Sequence, residues 1–335
     1  MRKRIMILFF LYCCINTIFS QVTNENEPVK VVQDINYLLY EPFSANSKVV
    51  TLPGKASLKL FNDLPLLDGA TALYPVYSAF VRAVYPENPP EGYAYRIPVA
   101  SIGSQNQNRL IIRCTQTPRA YSLLISGDVD IIFCAEPSTE QIKEAAERGI
   151  NFNLTPIGID AFVFFVNKNN PIDDISSEQI QAIYSGKITN WFSINGNNEQ
   201  IVAYQRPKNS GSQTILEQVI MADKEIMKPL VENVIGGMGE IIEQVASYKN
   251  YANAIGYSFL FFTTEMVNND EIKLISIDGI YPSKETIQTK EYPFTGPFYA
   301  ITTGNETENT KKLIEWILSD EGQYLVEETG YIPVK

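Results

Sequence analysis

The chain of 335 residues contains no histidine. That absence excludes Ser-His-Asp and Cys-His catalysis, and it removes the commonest protein ligand of zinc and of non-haem iron. Cysteine is scarce too. Of four in all, Cys13 and Cys14 lie in an apolar leader, so only Cys114 and Cys134 serve the rest of the chain. They stand in separate apolar segments, where two buried thiols are the simpler expectation, although spacing alone does not decide pairing. Two thiols without imidazole argue against a structural zinc site, and no cofactor is implied. Basic charge is also short, with 27 Lys and Arg against 38 Asp and Glu, a net of −11. With no basic tract to compensate, such a surface repels nucleic acid and anionic membrane. It repels small anions at long range as well, so any anion site must work through local donors.

Long hydrophobic runs are missing except at the start. Arg2, Lys3 and Arg4 precede an apolar stretch from Ile5 to about Phe19, and Ser20 offers a small residue before Gln21. This is the layout of a secretory signal peptide over residues 1–20. The run is short for a membrane helix, which takes about twenty apolar residues. Lipid attachment at Cys13 or Cys14 is the rival, but Phe10 and Tyr12 are bulky where lipoprotein cleavage needs small residues. The expectation is a periplasmic or secreted monomer, and a hydrophobic content of 45% suffices for two domains with real cores.

What is present is a regular alternation. Residues 21–60 read as an N-terminal extension with little periodicity. From about Leu64, apolar strands alternate with amphipathic helices. Pro65 to Leu67 leads through Gly69 into a helix carrying Val76, Phe80 and Val84. Leu110 to Ile112 leads through Thr117-Pro118 into a helix ending near Gly127. Val129 to Phe133 and the continuous apolar run Ala161 to Val166 are further strands. Ser176 with Gln179 forms a capping box before a helix that Gly186 ends. Ile201 to Tyr204 and Ala254 to Phe262 are later strands, and an amphipathic helix from Thr310 to about Leu318 closes the chain. The order predicts an α/β fold of mostly parallel sheet flanked by helices.

Three places repeat one design, a strand followed by a hydroxyl residue and a helix start: Thr71, Thr117, and Ser210-Gly211-Ser212. Strand ends and helix N-termini share one edge of a parallel sheet, and each start offers unpaired N–H groups to an anion. The plainer alternative is that each hydroxyl only caps its helix. Arg206 shifts the balance, because a guanidinium presents a planar fork of donors to a tetrahedral oxyanion. Donors without a base suggest binding without turnover. Gly236 to Gly239 lacks the lysine and spacing of a nucleotide loop and reads as a helix start at the cleft rim.

From about residue 64 onward the chain resembles the phosphate-binding component of ABC phosphate importers, in the type II periplasmic-binding-protein superfamily. The resemblance is carried by Gly69-Ala70-Thr71 with Pro75-Val76-Tyr77, by Ser177 to Ile180 with Gly186 to Trp191, by Arg206 to Ser212, by Ala254 to Tyr257 and by Tyr331 to Val334. It implies two lobes joined by crossing strands near 161–168 and 254–262, with lobe I over 61–163 plus 261–335 and lobe II over 164–260. It further implies closure of these lobes around phosphate, with importer permease subunits as partners and no catalysis. Matched position by position, the contacts are Thr71, Ala72, Thr117, Arg206, Ser210, Gly211 and Ser212. Where the family has a proton-accepting aspartate, this chain has Ala135 with Glu136 beside it. Glu136 turned into the cleft would preserve selectivity for a protonated anion, whereas Glu136 turned to solvent would loosen it. A sensor or surface interaction protein on the same fold is the alternative function. The extension at 21–60 and the missing aspartate both favour it.

Overall fold

The structure, a computed structural model, describes residues 35–95, 109–247 and 252–335. The leader expected over residues 1–20 lies outside the described residues. Strands β1 (Leu67–Gly69), β4 (Ile131–Cys134), β5 (Asn153–Asn167), β7 (Val202–Ala203), β8 (Ala254–Phe259) and β11 (Thr295–Thr302) form one path of order β1-β4-β11-β5-β8-β7, and β9 (Ile272–Leu274) pairs with β5 to one side. Two small sheets flank it, β2 (Tyr93–Ala94) with β3 (Arg109–Leu110) and β6 (Asp174–Ile175) with β10 (Ser276–Ile277). Helices α1 (Tyr74–Val84), α2 (Gln116–Ser126), α3 (Thr139–Glu147), α8 (Glu308–Ile317) and α9 (Asp320–Thr329) accompany the β1 half. Helices α4 (Ser177–Tyr184), α5 (Gly211–Ile215), α6 (Met238–Ala246) and α7 (Lys284–Gln288) accompany the β7 half.

The fold has two lobes because one strand serves both. The first half of β5 pairs antiparallel with β11 from Asn153 to Ala161, and its second half pairs with β8 from Phe162 to Val166. Each half of the strand meets its own core. Leu67, Phe80, Tyr121, Phe133, Trp316 and Leu325 fill one, while Phe164, Ile180, Trp191, Tyr257 and Tyr292 fill the other. The parallel pairings, β1 with β4 and β7 with β8, lie away from the crossing and feed the loops that carry Thr71 and Arg206.

Local sequence signals account for most boundaries. Ser138 with Gln141 and Ser176 with Gln179 make both bonds of a capping box ahead of α3 and α4. Gly127 ends α2 in the left-handed region at φ 78°. Three expectations need correction. The chain does not close on one helix, because α8 is followed by α9. Gly322 permits this tight junction, since a Cβ there would lie 2.3 Å from the Ile317 carbonyl oxygen. Ile275, Ile277, Ile287 and Tyr292, assigned to lobe I by their place in the chain, are buried in the second core. They follow β9, which pairs with the far end of β5. The extension is no appendage over its described part. Val49, Ala56 and Leu60 are buried in the first core, and the Leu60 N–H donates to the Val84 carbonyl at 3.0 Å.

Asp160 sits where β5 passes between the lobes. Its carboxylate accepts from the Ala161 N–H at 2.8 Å and from the Phe261 N–H, which joins β5 to the second crossing segment. Burial pushes its carboxyl up to about 7 against those two bonds. The folded protein therefore binds this proton more tightly than the unfolded chain, so the stability this group contributes is full at acid pH and is lost as pH rises through about 7. Urea denaturation from pH 5 to pH 8 should show that decline in the native protein, and Asp160→Asn should flatten it. An equal slope in both proteins would refute the assignment.

Candidate anion-binding site

The two lobes meet at Gly211. A Cβ on this glycine would lie 3.1 Å from Thr117 Oγ1 and 3.7 Å from Ala135 Cβ. The first turn of α5 thus abuts the first turn of α2 and the end of β4. Gly211 is needed for this approach, since a side chain would force the surfaces apart.

Lobe II supplies Arg206, Ser210, Gly211 and Ser212 from one loop, all of them buried. Ser210 is the N-cap of α5 and accepts from the Gln213 N–H at 3.3 Å. The Arg206 N–H donates to Gln213 Oε1 and to the Tyr257 hydroxyl, each at 2.9 Å, and Tyr257 in turn donates to Gln213. These bonds fix the Arg206 main chain without using its guanidinium. Ser212 is 1% exposed, and its Oγ has no hydrogen-bond partner. A buried hydroxyl without a partner is costly, so this atom is suited to an external acceptor.

Lobe I supplies Thr71, Ala72 and Thr117, also buried. Thr71 opens a 3-10 turn that runs into α1, and Ala72 clusters with Tyr204 and Phe165 of the other lobe. Asp68, wholly enclosed, ties these loops together. Its Oδ1 accepts from the Gly69 N–H at 2.7 Å and the Thr115 N–H at 2.9 Å, and its Oδ2 accepts from the Thr115 hydroxyl at 2.6 Å. Burial raises its pKa, while the Thr115 and Gly69 bonds and the Arg113 charge oppose the rise. Gln116 and Asn209 adopt left-handed φ angles of 69° and 67° directly before Thr117 and Ser210. Non-glycine residues held this way cost about 1–3 kcal/mol each and cluster at functional sites.

A second set of contacts binds the loop across the cleft. Ser138 Oγ donates to Asn209 Oδ1 at 2.8 Å, Gln141 Nε2 donates to the Asn209 carbonyl at 3.4 Å, and Lys208 pairs with Glu140. The capping box of α3 therefore also holds the residue next to Ser210. Asp68, Thr115, Ser138 and Asn209 escaped the sequence reading. Only Asp68 left a signal there, as a lone charge at the end of an apolar strand.

Glu136 does not join this group. It is exposed, accepts from the Tyr299 hydroxyl at 2.7 Å, and lines a separate groove of about 410 Å³ with Ile142, Phe152 and Gln218. Past the end of β4 the two neighbours part, with Ala135 against Gly211 and Glu136 turned to Tyr299. Both Cys114 and Cys134 are free thiols. Among the described residues no cluster of acidic and cysteine side chains is arranged to hold a metal, and no helix is long and apolar enough to cross a membrane.

The family model described as "PBP superfamily domain" matches residues 99–321. The chain belongs to this superfamily. It is 28% identical over 190 residues to the phosphate-binding protein PstS of Bacillus subtilis (strain 168), covering 56% of this chain and 59% of that relative. It is 26% identical over 232 residues to PstS of Borreliella burgdorferi, covering 67% of this chain and 80% of the relative. Against the Bacillus protein the chain thus spans less than two thirds of the relative's length. Among solved structures it is similar to a putative phosphate ABC transporter substrate-binding protein with bound phosphate from Clostridium perfringens, at 25% identity and a TM-score of 0.58, covering 81% of this chain and 99% of that one. It shares the fold of an ABC-type phosphate transport receptor from Vibrio cholerae, at 20% identity and a TM-score of 0.57, covering 80% and 99%.

Asp68→Ala should destabilise the protein, because it orphans the buried N–H of Gly69, at about 1–3 kcal/mol, and removes the partner of the half-buried Thr115 N–H and hydroxyl. Chemical denaturation at neutral pH checks this. A loss within about 0.5 kcal/mol, the range of an ordinary surface substitution, would contradict it.

Proposed function

We propose that this chain is an exported, non-enzymatic solute-binding protein that captures inorganic phosphate between its lobes and delivers it to the permease subunits of an ABC importer. The observation that carries the reading is the meeting of Thr117 and Gly211 across the cleft beside the partnerless hydroxyl of Ser212. Thr71, the Ala72 N–H and Thr117 act from lobe I. The guanidinium of Arg206, Ser210, Gly211 and Ser212 act from lobe II. The anion bridges donors from both sides and so favours the closed arrangement over an open one. With a formal net charge of −11 on the chain, local donors and not the overall field hold the ligand. Relatives named for phosphate binding support the choice of anion.

One observation favours a broader ligand range. Ala135 faces the cleft where the resemblance places a proton acceptor, and Glu136 is turned to Tyr299. Without a carboxylate to reject a proton-free anion, discrimination between phosphate and sulfate weakens.

Arg206→Ala should abolish phosphate binding in titration calorimetry while circular dichroism still shows a folded protein, because Gln213 and Tyr257 hold the main chain of this segment. Undiminished affinity would overturn the reading. In the native protein excess sulfate should displace phosphate. Phosphate retained against excess sulfate would show that a proton acceptor is present after all.

A further inference from the structure

We propose that Tyr37, in the segment preceding β1, completes the Thr71 end of the oxyanion site by seating on Thr71 and donating its hydroxyl proton to Thr71 Oγ1. The proposal rests on the oxyanion reading above and extends the site to a part of the chain that precedes the family match at residue 99.

Asn36 caps a short 3-10 turn, Tyr37–Tyr40, by accepting from the Leu38 N–H at 3.2 Å. The turn sets the Tyr37 ring edge-on to Tyr74 with centroids 5.6 Å apart, and it brings the Tyr37 hydroxyl to 3.5 Å from Thr71 Oγ1. Tyr74 begins α1 directly after the Thr71 turn, so the aromatic contact holds Tyr37 over the start of that helix. The Cys114 thiol has hydrogen-bonding contact with Tyr37, Thr71 and Tyr77, which makes a small polar cluster of these four side chains. Two residues earlier, Ile35 packs against the core group that contains Ala72 of lobe I and Tyr204 of lobe II. The segment therefore runs beside both walls of the site.

One proton decides what Thr71 can offer a ligand. A threonine hydroxyl has a single donor hydrogen and two acceptor lone pairs. If Thr71 gives its hydrogen to a neighbour, none is left for an oxyanion. A phenol is a stronger donor than an alkyl hydroxyl, so the favoured direction is from Tyr37 to Thr71. That leaves the Thr71 hydrogen for the ligand and polarises it in a cooperative chain. Cys114 does not compete as a charged acceptor, because burial pushes its thiol up to about 12 and keeps it protonated. An anion binds more tightly when the donors around it are already oriented.

The test is a double-mutant cycle with inorganic phosphate as the probe, read by calorimetry on the full chain. Tyr37→Phe should weaken binding about three- to ten-fold, the range of one hydrogen bond. In a Thr71→Val background the same change should have no effect. A ring that only packs would cost the same in both backgrounds, and that result, or an unchanged affinity in Tyr37→Phe alone, would overturn the proposal. Alkylation of the ligand-free protein, followed by mass spectrometry of the Cys114 peptide, provides a readout independent of phosphate. Tyr37→Ala should speed modification of Cys114 while Tyr37→Phe leaves it slow. Equal rates in the native protein and Tyr37→Ala would show that Tyr37 does not cover Thr71 and Cys114. If the native protein binds no phosphate, the function proposed above fails, and the alkylation rates still decide whether Tyr37 has the seat assigned to it.

Discussion

The contact between Gly211 and Thr117 is the constraint on which the arrangement depends. It is the point where a helix start from each lobe comes within a side chain's width of the other. Everything behind it serves that approach. β5 gives half its length to each core, so both lobes take their position from a single extended strand. Asp68 fixes the loops of lobe I to each other, and Gln213 with Tyr257 fixes the main chain of Arg206. Bonds from Ser138 and Gln141 to Asn209 cross the cleft directly. They add to closure without involving a ligand.

The site also illustrates how an acidic protein can attract an anion. The overall charge opposes capture at a distance, and screening limits that penalty to about 10 Å at 0.1 M salt. Inside the cleft the balance reverses. Arg206 is buried, the Ser212 hydroxyl lacks an internal partner, and the enclosed carboxylate of Asp68 has its oxygens engaged by three donors. Left-handed Gln116 and Asn209 show that both loops carry backbone strain immediately before a candidate contact. Strain of that kind persists only where surrounding bonds over-determine the conformation, and the Asp68 and Ser138 networks have that role.

Much of this was legible in the sequence because it is written in short-range signals. The capping box at Ser176, the left-handed Gly127, and the buried runs of β5 and β8 are local features that need no partner to be read. The hydroxyl and glycine pattern around Thr71, Thr117 and Ser210 to Ser212 marked three helix starts, and the structure brings Thr117 to Gly211. What remained hidden depends on contacts between distant residues. Residues 275–292 follow the chain toward lobe I yet pack in lobe II, because β9 pairs with the end of β5. The orientation of Glu136 goes with its bond to Tyr299, 163 residues along the chain. Tyr37 lies 34 residues from Thr71 with no periodic pattern between them.

The central claim is that a small oxyanion bridges the two lobes at Gly211 and Thr117. A crystal structure of the protein grown with phosphate tests it most directly. The account predicts a tetrahedral anion within hydrogen-bonding distance of the Ser212 hydroxyl, the Arg206 guanidinium and Thr117 at once. An anion held by one lobe alone, or a cleft that leaves these three groups apart when phosphate is bound elsewhere, would contradict it.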